Sequence, residues 1–241
     1  MLVPVDFHIH SCLSPCADDD MTPANIAGMA YLAGMKAFAI TDHNSALNLP
    51  AAKAAADKLG LALLPGMEVT TREETHCLVY FESVENALAF GEVLYESLGA
   101  SMNLPRLFGN QYVADENDTI VKVIPKLLIQ ASSFSIDKLS SAAHEYGGLL
   151  VPAHINRGSN GMLSSLGMVP QSPRFTALEV SRGLPCPDTD SFGYRRIHSS
   201  DAHRLEQIIE PAFHIDLPGD EVSARAIYCS MAGWLRMNNE K

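Results

Sequence analysis

Residue types that bind metal ions recur along this chain where apolar runs stop. The first is His8-Ile9-His10, directly after Val3-Pro4-Val5-Asp6-Phe7. On a strand, residues two apart project from one face, so both imidazoles can meet the same ion. One such pair is common, and a surface or core role explains it equally well. The pattern then repeats. Thr41-Asp42-His43-Asn44 follows Ala37-Phe38-Ala39-Ile40, Gly66-Met67-Glu68 closes a third run, and Thr75-His76 opens a fourth. Val151-Pro152-Ala153-His154 ends another, and Ser199-Ser200-Asp201-Ala202-His203 restores the two-apart spacing. A single histidine at a strand end is an ordinary polar residue. Six histidines, a glutamate and an aspartate spread over most of the strands are not independent accidents. Their nitrogen and oxygen donors suit zinc, manganese or iron, and the Cys-rich pattern of a closed structural zinc site is missing.

These residues need strands to position them. Apolar runs predict strands at 3–9, 36–41, 61–64, 77–81, 149–153 and 177–180, with another around Ile197. Between them lie helical stretches. One opens at Thr22-Pro23, an N-cap followed by proline at the favoured first position, and runs to about residue 33. Others are expected at 51–59 (closed by Gly60), 84–98, 136–146 (stopped by Gly147-Gly148) and 223–237. Residues 99–135 are the least regular, with polar clusters at Gly109-Asn110-Gln111 and Asp115-Glu116-Asn117-Asp118. Such a segment is either a lid over substrate or a packed insertion. Repeated β-then-α units within 241 residues predict one α/β domain, built as a parallel barrel or an open doubly wound sheet. In a barrel, side chains at the C-terminal strand ends converge on one site.

Composition narrows the substrate. The formal net charge is −11 with nine histidines counted as neutral, which argues against a surface for nucleic acid. A small phosphorylated substrate stays compatible, because bound metal ions reverse the local potential. The first residues lack a basic stretch leading into a long apolar one, and no run of some 18 apolar residues occurs, so neither a signal peptide nor a membrane span is expected. Five cysteines, an odd number without CxxC spacing, fit a reduced cytoplasmic protein. Cys12 and Cys16 lie near the first histidines, but histidines and carboxylates suffice as donors without them.

With these residues in view, the chain resembles the PHP (polymerase and histidinol phosphatase) domain family. The resemblance runs from Asp6 to His203 and rests on DFHIHS, ITDHN, GMEVT, HCLVYF, VPAHINR and SSDAH, in the family's order. It implies a distorted (β/α)7 TIM-like barrel with two or three divalent ions (Zn, Mn or Fe) at its C-terminal mouth. Carried over by position, His8, His10, Glu68 and Asp201 resemble the ligands of one ion. His43 and His203, with an acidic residue from the first loop, resemble those of a second. Glu68, His76 and His154 resemble those of a third, Glu68 bridging. The first loop, SCLSPCADDDMTP, is longer than the family's usual one. Counting back from Thr22-Pro23 favours Asp18 as the loop ligand, leaves Asp20 open, and makes Asp19 the weakest choice.

The implied chemistry is hydrolysis of a small phosphomonoester by a metal-activated hydroxide attacking in line, with an arginine neutralising the phosphoryl oxygens. Arg157, three residues after His154, is the first choice, and Arg195 or Arg196 the second; a solvated surface arginine is the plain alternative for each. Asp201 and His203 belong to the catalytic group. Asp42 is expected either to orient a ligand histidine or to serve a turn. His144, His198 and His214 read as structural or surface residues. Three other functions fit parts of the pattern: a PHP-type 3′–5′ exonuclease or phosphodiesterase, a non-catalytic metal-stabilised binding module, and a metal-dependent amidohydrolase with a similar HxH strand. The full ligand set counts against the module, and the TDHN, GMEV and SSDAH motifs against the amidohydrolase. Oligomeric state has no signature in the sequence.

Overall fold

A computed structural model describes residues 1–187 and 193–237. In chain order it runs β1 (Leu2–Asp6), α1 (Pro23–Leu32), β2 (Ala37–Phe38), α2 (Leu49–Leu59), β3 (Ala62–Leu63), β4 (Gly66–Thr70), β5 (His76–Tyr80) and α3 (Val84–Ser97). The middle segment forms α4 (Pro105–Phe108), β6 (Tyr112–Ala114) and β7 (Ile120–Val123). It continues with α5 (Ile136–Glu145), β8 (Leu149–Pro152), α6 (Met162–Leu166), β9 (Leu178–Glu179), β10 (Arg196–Ile197), β11 (Phe213–Asp216) and α7 (Ala224–Met237). Helix starts follow their local chemistry. Thr22 accepts the N–H of Asn25 ahead of Pro23, and Ser83 and Ser135 cap α3 and α5 in the same way. Helix α2 begins two residues before the expected 51 because Pro50 fits its first turn, and it stops at left-handed Gly60.

The strands differ from a simple parallel alternation. Among the described residues, one sheet has the order β11-β1-β2-β3, a second β4-β5-β8, and two pairs are β9-β10 and β6-β7. Only β1-β2-β3 and β9-β10 are parallel. Strands β4 and β5 pair antiparallel because residues 71–75 joining them are too few for a crossover helix. Strand β8 pairs antiparallel with β5, and β11, which the apolar pattern did not mark as a strand, pairs antiparallel with β1. No single sheet closes into a barrel among the described residues. Strand lengths shrink near the site: β1 ends at Asp6 rather than residue 9, and Ile9 keeps only an isolated bridge to Ala202.

The apolar runs are continuous because β2, β4, β5 and β8 bury both faces. Ala37 and Ala39 enter one core with Val5, Phe7, Leu78, Tyr80, Val151 and Ile197. Phe38 and Ile40 enter a second with Met67, Val79, Leu150 and the inner faces of α1, α2, α3 and α5. In the first core the Tyr80 hydroxyl donates to the carbonyl of Phe7 at 2.8 Å, tying β5 to the chain just beyond β1.

The segment after α3 is pinned to the first loop. Leu98, Val113, Ile124 and Leu128 pack around Leu13. Asn44 donates to the carbonyls of Leu128 and Gln130, and Asn48 to that of Tyr112. Gly109 has φ +98°, and a Cβ there would overlap the carbonyl oxygen of Pro15. Gly109→Ala therefore has to strain its backbone and push the first loop away. We expect a loss of about 2 kcal/mol in denaturant unfolding; an unchanged midpoint would mean the contact is not held in solution.

Candidate metal centre

Eight of the residues singled out in the sequence converge at one end of the strands. Glu68, on β4, is the hub. Its carboxylate lies 2.9 Å from His76 Nδ1, 3.0 Å from His154 Nε2, 3.1 Å from His43 Nδ1, and 3.4 Å from Nε2 of both His8 and His10. Asp201 faces the other side: Oδ1 lies 3.2 Å from His8 Nε2 and 3.3 Å from His10 Nε2. Ligand atoms gather into three groups, His8–His10–Asp201, His10–His43–His203 and His43–Glu68–His76, each spanning no more than 4.8 Å. His203 stacks on His10 with ring centres 4.3 Å apart. His154 reaches the hub through Glu68 Oε1.

Three features fit this set to divalent cations. The Nε2 atoms of His8 and His10 face each other at 3.1 Å, so that once deprotonated both can turn a lone pair onto one cation. His43 Nδ1 approaches Glu68 but not in hydrogen-bond geometry, and His154 Nδ1 has no partner among the described residues. The donors are imidazoles and carboxylates, the set that zinc, manganese and iron accept.

Ring orientation is set from behind. His8 Nδ1 lies 3.0 Å from Glu179 Oε2, whose carboxylate also accepts the N–H of His154 at 2.8 Å. Such a carboxylate behind a histidine fixes the tautomer and turns Nε2 toward the ion. His10 Nδ1 meets Ser14 Oγ at 2.9 Å; that hydroxyl donates to Asp42 at 2.7 Å and accepts the N–H of His43 at 3.1 Å. Asp42 thus orients His10 through Ser14 and also holds Ser11, rather than touching the ring of His43. His203 Nδ1 contacts the carbonyl of Asp201 at 2.8 Å, leaving Nε2 for the site. His154 and Asp201 hold left-handed backbone, φ +28° and +53°, which non-glycine residues adopt at a cost of about 1 kcal/mol or more.

The electrostatics follow from burial and contact. Burial opposes protonation of His8, yet Glu179, Asp201 and Glu68 hold it well above the ordinary imidazole range. Burial likewise opposes protonation of His10, while hydrogen bonds to Asp201 and Glu68 raise it to about 9. His43 is driven well down, mainly by burial, and His203 falls to about 4 through burial and the charge of His10. Against the cost of burial, the surrounding imidazoles hold Glu68 and Asp201 below the usual carboxylate range. Asp6, buried beneath the site and bonded to the N–H groups of His8 and Ser200, is raised to about 6 by burial.

The first-loop aspartates do not join the cluster. Asp18 is exposed with its carboxylate 3.7 Å from Arg204, and only its N–H reaches the site, at the carbonyl of His203. Asp19 accepts from Asn110, and Asp20 is exposed. The loop hairpin, held by Ser14 and Met21 contacts, turns these side chains to solvent, so His10 occupies the place expected for an acidic partner of His43 and His203. Arg157 does reach the site, 2.6 Å from Asp201 Oδ2 and 39 % exposed. Arg195 instead lies over the Trp234 ring, and Arg196 sits on β10. His144 and His214 are exposed, and His198 Nδ1 is bound at the carbonyl of Val180.

Glu179 was missed in the sequence. Its signal was a carboxylate inside the apolar run Ala177-Leu178-Glu179-Val180, because a charge buried in such a run needs a partner. Glu179→Gln is expected to weaken metal affinity ten- to hundredfold in chelator competition. Unaltered affinity would remove the orienting role.

Fold and site together define an α/β protein with a histidine–carboxylate cluster at the strand ends. The PHP domain signature matches residues 6–147, more than half of the chain, and the chain belongs to the PHP domain family, whose members are metal-dependent. Comparison with curated protein sequences finds no significant match. Among solved structures it is similar in fold to the lesion-specific endonuclease EndoQ from Pyrococcus furiosus: TM-score 0.71, 17 % identity, 97 % of this chain and 56 % of that one. A complex of Endonuclease Q with a 27-mer duplex bearing an abasic lesion gives TM-score 0.69, 17 % identity, and 97 % and 57 % coverage. This chain therefore spans little more than half the length of those two. A protein assigned as a metal-dependent phosphoesterase, from Bifidobacterium adolescentis, gives TM-score 0.59, 18 % identity, and 95 % of both chains. With a DNA-bound structure among these neighbours, the exclusion of nucleic acid drawn from net charge loses its support. Among the described residues, no helix is long and apolar enough to cross a membrane.

Proposed function

We propose that the chain is a metal-dependent phosphoesterase acting on a small phosphomonoester, and that His8, His10, His43, Glu68, His76, His154, Asp201 and His203 hold two or three divalent ions. The observation that carries this reading is the Glu68 carboxylate facing five imidazoles within 3.4 Å, beside an open cleft of about 620 Å³ lined by Arg157, Glu179 and Asp201. A cleft of that volume suits a small molecule. Bound divalent ions supply Lewis acidity toward phosphoryl oxygens and acidify water at neutral pH.

The chain's own residues then do the rest. Glu179 and Ser14 fix the rings of His8 and His10, so the donors are placed before substrate arrives. Arg157, anchored on Asp201, keeps further N–H donors for the phosphoryl oxygens as charge grows on them. His203, 26 % exposed, is neutral at pH 7 and can serve as ligand or accept a proton. We further read the linked sheets as a distorted seven-stranded barrel. Backbone hydrogen bonds between sheets support this: Glu68 to Asp42, Thr176 to Leu150 and His10 to Ala202. The packing of residues 99–135 around Leu13 supports a buttress for the first loop within one domain, not a free lid. A reduced, cytoplasmic setting completes the proposal.

The test is phosphate release from a panel of phosphomonoesters and phosphodiesters by metal-free protein resupplied with Mn, Zn or Fe, alongside His10→Ala. Metal-dependent turnover that the variant loses is expected. The fold likeness to Endonuclease Q supports a second reading, cleavage of nucleic acid. Turnover of duplex or single-stranded oligonucleotides, with monoesters inert, would establish that one instead.

A further inference from the structure

The cleft beside Asp201 holds a second arginine that the hydrolysis itself does not require. Arg182 donates to the carbonyl of Ala212, which fixes its guanidinium on the cleft wall. A guanidinium has five N–H donors, so this one bond, among the described residues, leaves further donors for a carboxylate or phosphate. Gln207 also lines the cleft. Gln207 spends its carbonyl oxygen on the N–H groups of His203 and Arg204, keeping its NH2 as a donor.

Two of the three acidic residues among the described lining are already engaged. Glu179 is committed to His8 and to the N–H of His154, and Asp201 to His8, His10 and Arg157. Glu210 remains as the one uncommitted carboxylate among the described lining residues, and it is exposed. Arg182 is thus the uncommitted cation among the described lining residues, with the amide N–H donors of Gln207 beside it.

We propose that Arg182, with Gln207, binds a second anionic group of the substrate, so that the ester hydrolysed is a small phosphomonoester bearing a further carboxylate or phosphate. This rests on the phosphoesterase reading. Glycerol 3-phosphate and 3-phosphoglycerate are the probes, because they share a phosphorylated three-carbon frame and only the second carries a carboxylate. With the manganese-loaded protein, kcat/KM is expected to favour 3-phosphoglycerate about tenfold or more, the worth of a charge-assisted hydrogen bond. Arg182→Lys keeps part of that preference, and Arg182→Glu reverses it. Equal kcat/KM for the two compounds in the unaltered protein, or a preference that survives Arg182→Glu, overturns the proposal. If neither compound is turned over, the phosphoesterase reading fails for both, and calorimetric binding decides the cleft separately. There 3-phosphoglycerate should bind about tenfold tighter than glycerol 3-phosphate, with the difference gone in Arg182→Glu. Equal affinities would sink the second-anion site whatever the reaction.

Discussion

Replacing Glu68 by glutamine is expected to lower metal-dependent phosphate release about a thousandfold and to reduce the metal retained after gel filtration. The side chain keeps its size, so a packing defect is not the cause. What disappears is a negative charge that lies within 3.4 Å of all five of His8, His10, His43, His76 and His154, a reach no other carboxylate among the described residues has. Removing one partner of a buried charged contact costs about 3–5 kcal/mol, and each 1.4 kcal/mol is a factor of ten in rate or affinity. An amide also offers a neutral oxygen where the carboxylate reaches histidines of two ligand groups at once. Elemental analysis separates the two ways of failing. Less bound metal with normal turnover per ion would make Glu68 a loading residue only. Full metal with unaltered turnover would remove it from the centre.

How much of this site the sequence displayed follows from where each residue stands. His8, His10, His43, Glu68, His154 and Asp201 lie where apolar runs give way to polar residues, and that boundary is visible without coordinates. The grouping of their ligand atoms was not visible. His10 sits in two groups because its ring stacks on His203 while its Nε2 faces His8, a matter of side-chain angles that spacing does not encode. The direction of Asp18 was hidden for a related reason: counting residues along a loop cannot say which way its turn points a carboxylate, and here it lies 3.7 Å from Arg204. Helix positions came out well, because caps such as Thr22 and stops such as Gly60 are local chemistry. Strand direction came out poorly. The pairing of β4 with β5 depends on partners beyond the local pattern, and a buried antiparallel strand carries the same apolar run as a parallel one. Glu179 was hidden by the same run that identified its strand.

The second large effect concerns protons in the metal-free protein. His10, raised to about 9 against an ordinary 6.5, binds its proton more tightly folded than unfolded, and His8 shifts in the same direction. A base raised in the folded state contributes stability that is complete below about pH 6.5 and lost as pH climbs through the folded value. For His10 the gap corresponds to on the order of 3 kcal/mol across pH 6.5–9. A chain of this size loses roughly 2–4 °C of melting temperature per kcal/mol. Chelator-treated protein should therefore melt about 6–12 °C lower at pH 9 than at pH 6.5. Metal-loaded protein should not follow this slope, because in the proposed centre cations take the place of those protons between Glu68, Asp201 and the imidazoles. The same exchange requires proton release on loading: zinc titrated near pH 7 in two buffers of different ionisation enthalpy should give different apparent heats. Equal heats, or a metal-free melting temperature that is flat from pH 6.5 to 9, would mean that His8 and His10 are already neutral. The carboxylates Glu68 and Asp201 would then face unprotonated rings, and the cluster would have to be held together by something other than charge.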